Sequence, residues 1–231
     1  MKLTFWGAAR TVTGSMHQLT IEGWSYLLDC GQYQGRRKEA EALNKTFPFS
    51  PKELSAVLLS HAHIDHSGNL PLLVKNGFRG PIYTSPATAD LCRPMLADSA
   101  FLQEKDAEFL NKRQLRRKSL NIGQGSGDAL VEPLYTVEDA EATYPLFDPV
   151  PLHTPTEIGP GLKYRSFEAG HMLGSTCMLL DLESGGRRVR LGFTGDLGRP
   201  GLPIIRDPEP LPPADYLIME STYGNRVHEP I

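Results

Sequence analysis

The chain has 231 residues, enough for one large domain or two small ones with a substantial core, and 40% hydrophobic content marks a folded protein. A formal charge of −3 excludes a global electrostatic pull toward nucleic acid or an anionic membrane, so any such contact must be local. Cys30, Cys92 and Cys177 are odd in number and form no C-x-x-C pair. They argue against a disulfide framework and for a reducing, cytoplasmic setting, with no signal peptide and no apolar run near the ~20 residues a bilayer requires.

In chain order, a first strand is predicted from Leu3 to Trp6, followed by a Gly/Thr/Ser-rich loop from Gly7 to Ser15. Strands at His17–Ile21 and Ser25–Leu28 flank Glu22-Gly23, a hairpin signal. The apolar run Ala56-Val57-Leu58-Leu59 reads as a buried strand whose C-terminal loop carries the polar residues that follow. A short helix is expected over Gly68–Lys75, ended by Asn76-Gly77, and a strand over Pro81–Thr84. Ala87–Lys118 has a helical pattern, broken or kinked near Pro94; Gly123–Gly127 is a loop and Thr136–Tyr144 a weak helix. Strands return at Leu162–Phe167, Thr176–Leu182, Val189–Thr194 and Tyr216–Met219. Asp207–Pro213 holds four prolines in seven residues and must be an irregular connection. Two blocks of strands with helices around them argue for a mixed α/β sandwich with helices outside two sheets, rather than a doubly wound parallel sheet.

The run His61-Ala62-His63-Ile64-Asp65-His66 places three imidazoles and a carboxylate in six residues behind a hydrophobic strand. These are ligand types that borderline metals such as zinc prefer. His61 and His63 can turn toward one cation while Asp65 and His66 turn toward a second. Two later segments have the same character: Gly170-His171-Met172-Leu173-Gly174-Ser175, and Phe193-Thr194-Gly195-Asp196-Leu197-Gly198. Catalytic zinc takes about three protein ligands plus a water. His61, His63 and His171 complete one such set, Asp65 and His66 begin another, and Asp196 can bridge both at the ~3.5–4 Å separation of two-metal sites. Such a pair of cations acidifies a water toward a pKa of ~7, for attack on a carbonyl or phosphoryl centre. Asp29, at the end of a strand, reads equally as a turn residue before Gly31 or as a carboxylate that orients a ligand histidine. The five cations of Lys112–Lys118 are better read as a solvated helix end than as phosphate contacts. The Gly7–Ser15 loop, with Arg10, is the better candidate for the rim of the site.

In their order along the chain, the H-x-H-x-D-H run, the later Gly-His and the later Gly-Asp resemble the metallo-β-lactamase superfamily. Gly7-Ala8-Ala9-Arg10-Thr11-Val12-Thr13-Gly14-Ser15, Leu28-Asp29-Cys30-Gly31, Gly170–Ser175 and Glu220-Ser221-Thr222-Tyr223-Gly224 narrow the resemblance to the β-CASP nucleases. Within them it is nearer to bacterial relatives of the eukaryotic pre-mRNA cleavage endonuclease subunit than to ribonuclease J.

The resemblance implies an α/β metallo-β-lactamase αββα sandwich and two-zinc hydrolysis of RNA phosphodiesters, endonucleolytic or from the 5′ end. His61, His63, Asp65, His66, His171 and Asp196 are the implied metal ligands, with Asp65, Asp196 and Glu220 in catalysis. Glu220 corresponds to a motif acid that supports a leaving-group-protonating histidine; a strand-end structural role is its alternative. In the family the fold is interrupted after the T-Y-G segment by the β-CASP domain. Residues 1–225 are therefore expected to be the N-terminal portion of the lactamase-like domain, and 226–231 the start of the insertion. The C-terminal strands, the general-acid histidine and one further ligand would then be absent. His17, His153 and His228 are unassigned, and none has a context that recommends it as a substitute. The implied partner is single-stranded RNA, with no membrane, and a homodimer of the full-length parent is compatible with the resemblance. The alternatives are a thioester or lactone hydrolase of the same superfamily, and a truncated zinc-binding fragment without activity.

Overall fold

The computed structural model describes residues 1–119 and 130–226 of the chain. Six strands form the first sheet in sequential order: β1 (Lys2–Phe5), β2 (His17–Ile21), β3 (Trp24–Leu28), β4 (Ala56–Leu58), β5 (Ile82–Thr84) and β6 (Phe147–Pro149). β1, β2 and β3 pair antiparallel; β3 to β6 pair parallel. The second sheet runs β11-β10-β9-β8-β7, from β7 (Thr156–Gly159), β8 (Leu162–Glu168), β9 (Thr176–Ser184), β10 (Arg187–Phe193) and β11 (Tyr216–Ile218). β11 alone is parallel to its neighbour in that sheet.

Strand alternation divides the apolar residues between two cores. Leu27, Val57, Leu59 and Ile82 face outward from the first sheet. They bury against α3 (Leu70–Lys75), α4 (Pro86–Ser119) and α5 (Val137–Glu141) through Leu70, Leu73, Leu96, Ala100 and Ala140. Tyr26, Leu28, Ala56 and Leu58 face the other way and meet Tyr164, Met178, Leu180 and Phe193 between the sheets. Each such large side chain contributes about 1.5–3 kcal/mol by burial. Among the described residues, the helical groups in these cores all belong to the first. The proline-rich segment 207–213 instead lies along the second sheet, where Glu209 N–H donates to the Glu168 carbonyl (2.9 Å) and Asp215 N–H to that of Arg190 (2.9 Å).

The structure corrects several sequence expectations. The end of the histidine run is not loop but one helical turn, α2 (Ile64–Ser67), started by hydrogen bonds from Ser67 N–H and Gly68 N–H to the carbonyls of His63 and Ile64. The next helix therefore begins at Leu70 rather than Gly68. Pro94 lies inside α4, which is one element from Pro86 to Ser119. Packing of Cys92, Leu96 and Ala100 on the sheet holds both sides of the proline in helical register. The weak helix shortens to α5, whose start carries a capping box between Thr136 and Asp139. Helix α1 (Arg37–Asn44), β6 and β7 carried no readable period. The expected Gly123–Gly127 loop and His228 lie outside the described residues. All three cysteines are free and buried, and no helix among the described residues is long and apolar enough to cross a membrane.

Both sheets send their functional segments to one end of the sandwich. The C-terminal ends of β3, β4, β8 and β10 all lie there, and Thr176, opening β9, ties the sheets by donating its N–H (2.9 Å) and Oγ1–H (3.1 Å) to the Ser60 carbonyl. The residues after β3 dock against α2: Cys30 N–H bonds the His66 carbonyl and Ser15 N–H bonds that of Asp65, both at 2.8 Å. Gly31 permits this approach, because a Cβ there would overlap the Asp65 carbonyl. Gly31→Ala is expected to destabilise the protein by roughly 3 kcal/mol, as overpacking against backbone does. Urea denaturation measures this, and an unchanged midpoint would show that the two segments do not meet so closely.

Candidate metal centre

The centre is built around a buried carboxylate. Asp29 follows β3 in the left-handed region (φ 57°), which Asp tolerates better than most residues, and its side chain is fully buried. Its Oδ1 accepts the Ser60 N–H at 2.8 Å. Its Oδ2 accepts the hydroxyls of Ser60 and Ser15, both at 3.0 Å, and lies 2.7 Å from His66 Nδ1. Asp29 thus takes the turn conformation and also sets its carboxylate against His66, the two features the sequence left as alternatives. With Nδ1 committed as a donor to Asp29, His66 turns Nε2 to the cleft, where the neutral ring would carry its lone pair. Ser60 extends the same logic: its hydroxyl donates to Asp29 and its oxygen lies 3.0 Å from His61 Nδ1, so that Nδ1 donates and Nε2 is left free.

Two donor sets meet at Asp196, on the turn after β10. On one side, His63 Nδ1 lies 3.1 Å from both His61 Nε2 and His171 Nε2. Asp196 Oδ2 stands 3.7 Å and 3.5 Å from those same Nε2 atoms. A tetrahedral cation with metal–nitrogen distances of about 2.0–2.1 Å separates its ligands by about 3.3 Å, so this set fits one metal ion. On the other side, Asp196 Oδ1 is 3.1 Å from His66 Nε2, which is 3.9 Å from Asp65 Oδ2. The two oxygens of one carboxylate therefore address separate groups of donors. All six residues singled out in the sequence as ligands come together here.

The loops that carry them are held from outside. Ser175 Oγ accepts the N–H groups of His171 and Met172, both at 3.1 Å. Thr88 and Ser85, at the start of α4, donate their hydroxyls to the Gly174 carbonyl at 2.8 and 2.6 Å. Glu220 sits just past β11 and accepts the Leu197 N–H at 2.6 Å, so it holds the residue next to Asp196. Ser60, Ser85 and Thr88 escaped the sequence reading, whereas Ser15 and Ser175 close two of the motifs singled out there. A lone hydroxyl residue carries no signal, although Ser60 directly precedes the histidine run. His17 is buried between Phe5 and Phe193, with ring centroids 5.2 and 5.6 Å away. His153 pairs instead with Glu209 at 3.0 Å. Lys112 stands 3.9 Å from Glu108. At 1.5 Å per residue, the Lys112–Lys118 run lies roughly 36 Å along α4 from Thr88, which sets it away from the centre.

Burial, with the imidazoles of His66, His63 and His171, holds His61 well below its ordinary pKa. His63 is lowered by burial and by His171, against the pull of Asp65 and Asp196. His66 goes the other way. Burial would lower it, but the charge of Asp29 and hydrogen bonds donated to Asp196 and Asp29 outweigh that and raise it to about 10. Asp196 is correspondingly lowered, its burial outweighed by the hydrogen bond and charge of His66. The buried His61 is thus neutral, as a ligand must be, whereas His66 without metal is an imidazolium between two carboxylates.

Because the folded-state pKa of His66 exceeds the ordinary ~6.5, its contribution to the stability of the metal-free protein is complete below that pH. It is lost as pH rises toward about 10. Urea denaturation of metal-free protein across this range checks the trend, which Asp29→Asn is expected to flatten. The same variant sets an amide N–H₂ or a single oxygen where Oδ2 meets three donors. It is expected to weaken metal affinity about 10–100-fold in chelator competition.

The metallo-beta-lactamase superfamily model matches residues 19–223. Ribonuclease TTHA0252 of Thermus thermophilus is 36% identical over 230 residues, which are 100% of this chain and 46% of that protein. Endoribonuclease YSH1 of Eremothecium gossypii is 30% identical over 227 residues, 97% of this chain and 26% of its own length. Cleavage and polyadenylation specificity factor 73 of Drosophila melanogaster is 28% identical over 226 residues, 96% of this chain and 29% of its own. These relatives belong to the β-CASP RNA-processing branch, as the motifs implied, and the chain spans less than half the length of each. The fold and the His/Asp cluster together support a metal cofactor. One family model thus runs from within β2 through β11, across both Asp29 and Asp196, and the chain belongs to the metallo-β-lactamase superfamily.

Proposed function

We propose that the centre hydrolyses RNA phosphodiester bonds with two zinc ions. The observation that carries this reading is the divided carboxylate of Asp196, with Oδ2 beside His61 and His171 and Oδ1 beside His66. His61, His63 and His171 would hold one ion and Asp65 and His66 the other, with Asp196 within reach of both. An all-imidazole-and-carboxylate donor set without thiolate suits zinc. When bound, a zinc pair supplies Lewis acidity toward the phosphoryl oxygens and a nucleophile at neutral pH. The names of the relatives support RNA as the substrate, since each is called a ribonuclease, an endoribonuclease or a cleavage factor.

The chain's own groups supply position and charge. Asp29 keeps His66 Nε2, and through Ser60 His61 Nε2, turned inward as acceptors. Glu220 keeps the Asp196 turn from moving when charge changes at the phosphate, and stands on the wall of the same cleft. Its position there is compatible with supporting a general acid at the leaving oxygen. A cleft of about 500 Å³ leads to Asp196 and His66 between Arg10 and Thr11 on one side and Glu220 and Ser221 on the other. Hydroxyl, cationic and aromatic groups in it suit a phosphodiester chain better than an acyl thioester.

Metal analysis and cleavage of labelled single-stranded RNA test the proposal together. Asp196→Asn is expected to lower zinc content and to reduce RNA cleavage by more than about a hundredfold, beyond the range of an outer-shell change. Chelation is expected to abolish cleavage, and zinc to restore it. Turnover of a thioester with none of RNA would overturn the assignment.

A further inference from the structure

Strand β1 runs out into two consecutive aromatic residues, Phe5 and Trp6, that are 49% and 42% exposed. Successive residues of an extended segment project to opposite sides, and these two rings enter different clefts. Phe5 lines the cleft of about 500 Å³ that reaches His66 and Asp196. Trp6 lines a second one of about 240 Å³ with Tyr33 and Phe47. The Gly7–Ser15 loop is the divide between them, and Ala9 and Thr11 line both. The two clefts are therefore neighbours on either side of that loop.

Neither ring is loose. Trp6 Nε1 donates to Gln18 Oε1 at 3.0 Å, and its ring stands 6.4 Å from that of Phe49, which is 5.5 Å from Phe47. Phe5 stands edge-on to His17 at 5.2 Å. His17 is 4% exposed and its Nδ1 has no hydrogen-bond partner, so the floor of the inner cleft carries polarity that the protein does not satisfy. Arg10 lines the inner cleft from the dividing loop, in a left-handed conformation (φ 66°). Held aromatic faces on either side of a cationic loop are the arrangement by which proteins bind single-stranded nucleic acid, because every base has a stacking face. An apolar peptide would leave Arg10 and His17 unanswered.

We propose that the two clefts form a track for neighbouring bases of single-stranded RNA, one stacked on Phe5 and the next on Trp6, with Arg10 at the phosphate between them. This rests on the RNA-cleaving reading and names the residues that would select unpaired strands. The chain has two tryptophans, and the other, Trp24, lies at the far end of the sheet beside the Glu22-Gly23 turn. Trp24→Phe thus makes Trp6 the sole indole reporter. Metal-free protein carrying that change is titrated with an oligoadenylate RNA of about twelve nucleotides, recording indole emission and, in parallel, anisotropy of the end-labelled RNA.

The expected result is quenching of Trp6 emission that saturates with the anisotropy change, and none with the same length of RNA duplex. Trp6→Ala in the wild-type background is expected to raise the dissociation constant about tenfold, and Trp6→Phe to restore most of the loss. Should Trp6→Ala fold poorly, the quenching arm decides alone. RNA binding with unchanged Trp6 emission would overturn the track while zinc-dependent cleavage of RNA upheld the nuclease reading. Absence of both binding and cleavage would overturn the two together.

Discussion

The buried carboxylate of Asp29 is the constraint on which the rest of the centre depends. Taking an ionised carboxylate out of water is unfavourable by several kcal/mol unless donors replace the lost hydration. Here two hydroxyls, one backbone N–H and one imidazole do so. They come from the Gly7–Ser15 loop, the end of β4 and α2, so satisfying one charge brings three separate chain segments to the same point. The left-handed backbone at Asp29 aims the carboxylate at them, and Gly31, two residues later, lets α2 close over it.

Asp196 plays the complementary part from the other sheet. Its position rests on a turn held by Glu220 through the Leu197 N–H, and by the close approach of Gly198 to the Gly170 backbone. Around these two aspartates the histidines separate by environment. His61 is buried among other imidazoles and is driven neutral, while His66 lies between opposite charges and is driven cationic. The same ring type thus enters the centre in two protonation states, decided by which neighbours carry charge.

Much of this was legible in the sequence. Ligand-type residues cluster in a short run behind an apolar strand, and glycines flank the two later contributions. Counting ligands then assigns Asp196 as a bridge, and its two oxygens do face two donor sets. The strands with clear alternation, such as β2 and β8, stand where their pattern placed them. What escaped is what depends on three-dimensional partners. α2 is a single turn stabilised by its contacts with the segment after β3, and no pattern of four residues announces it. β6 and β7 exist because neighbours pair with them. Pro94 read as a break or a kink because the local cost of proline is plain in sequence; the packing that keeps the helix one element is not. The hydroxyls that orient the histidines carry no spacing rule at all.

The ligands divide by origin: His61, His63, Asp65 and His66 follow a strand of the six-stranded sheet, while His171 and Asp196 follow strands of the five-stranded one. A cation held by both groups is a rivet through the open end of the sandwich, joining layers otherwise held by the apolar side chains between them and the Thr176–Ser60 hydrogen bonds. Its binding energy then adds to the cohesion of the fold, in proportion to how far its concentration exceeds the dissociation constant. Loss of the metal would loosen the seam between the sheets as well as silence the chemistry. The reactive centre is in this sense also part of the framework.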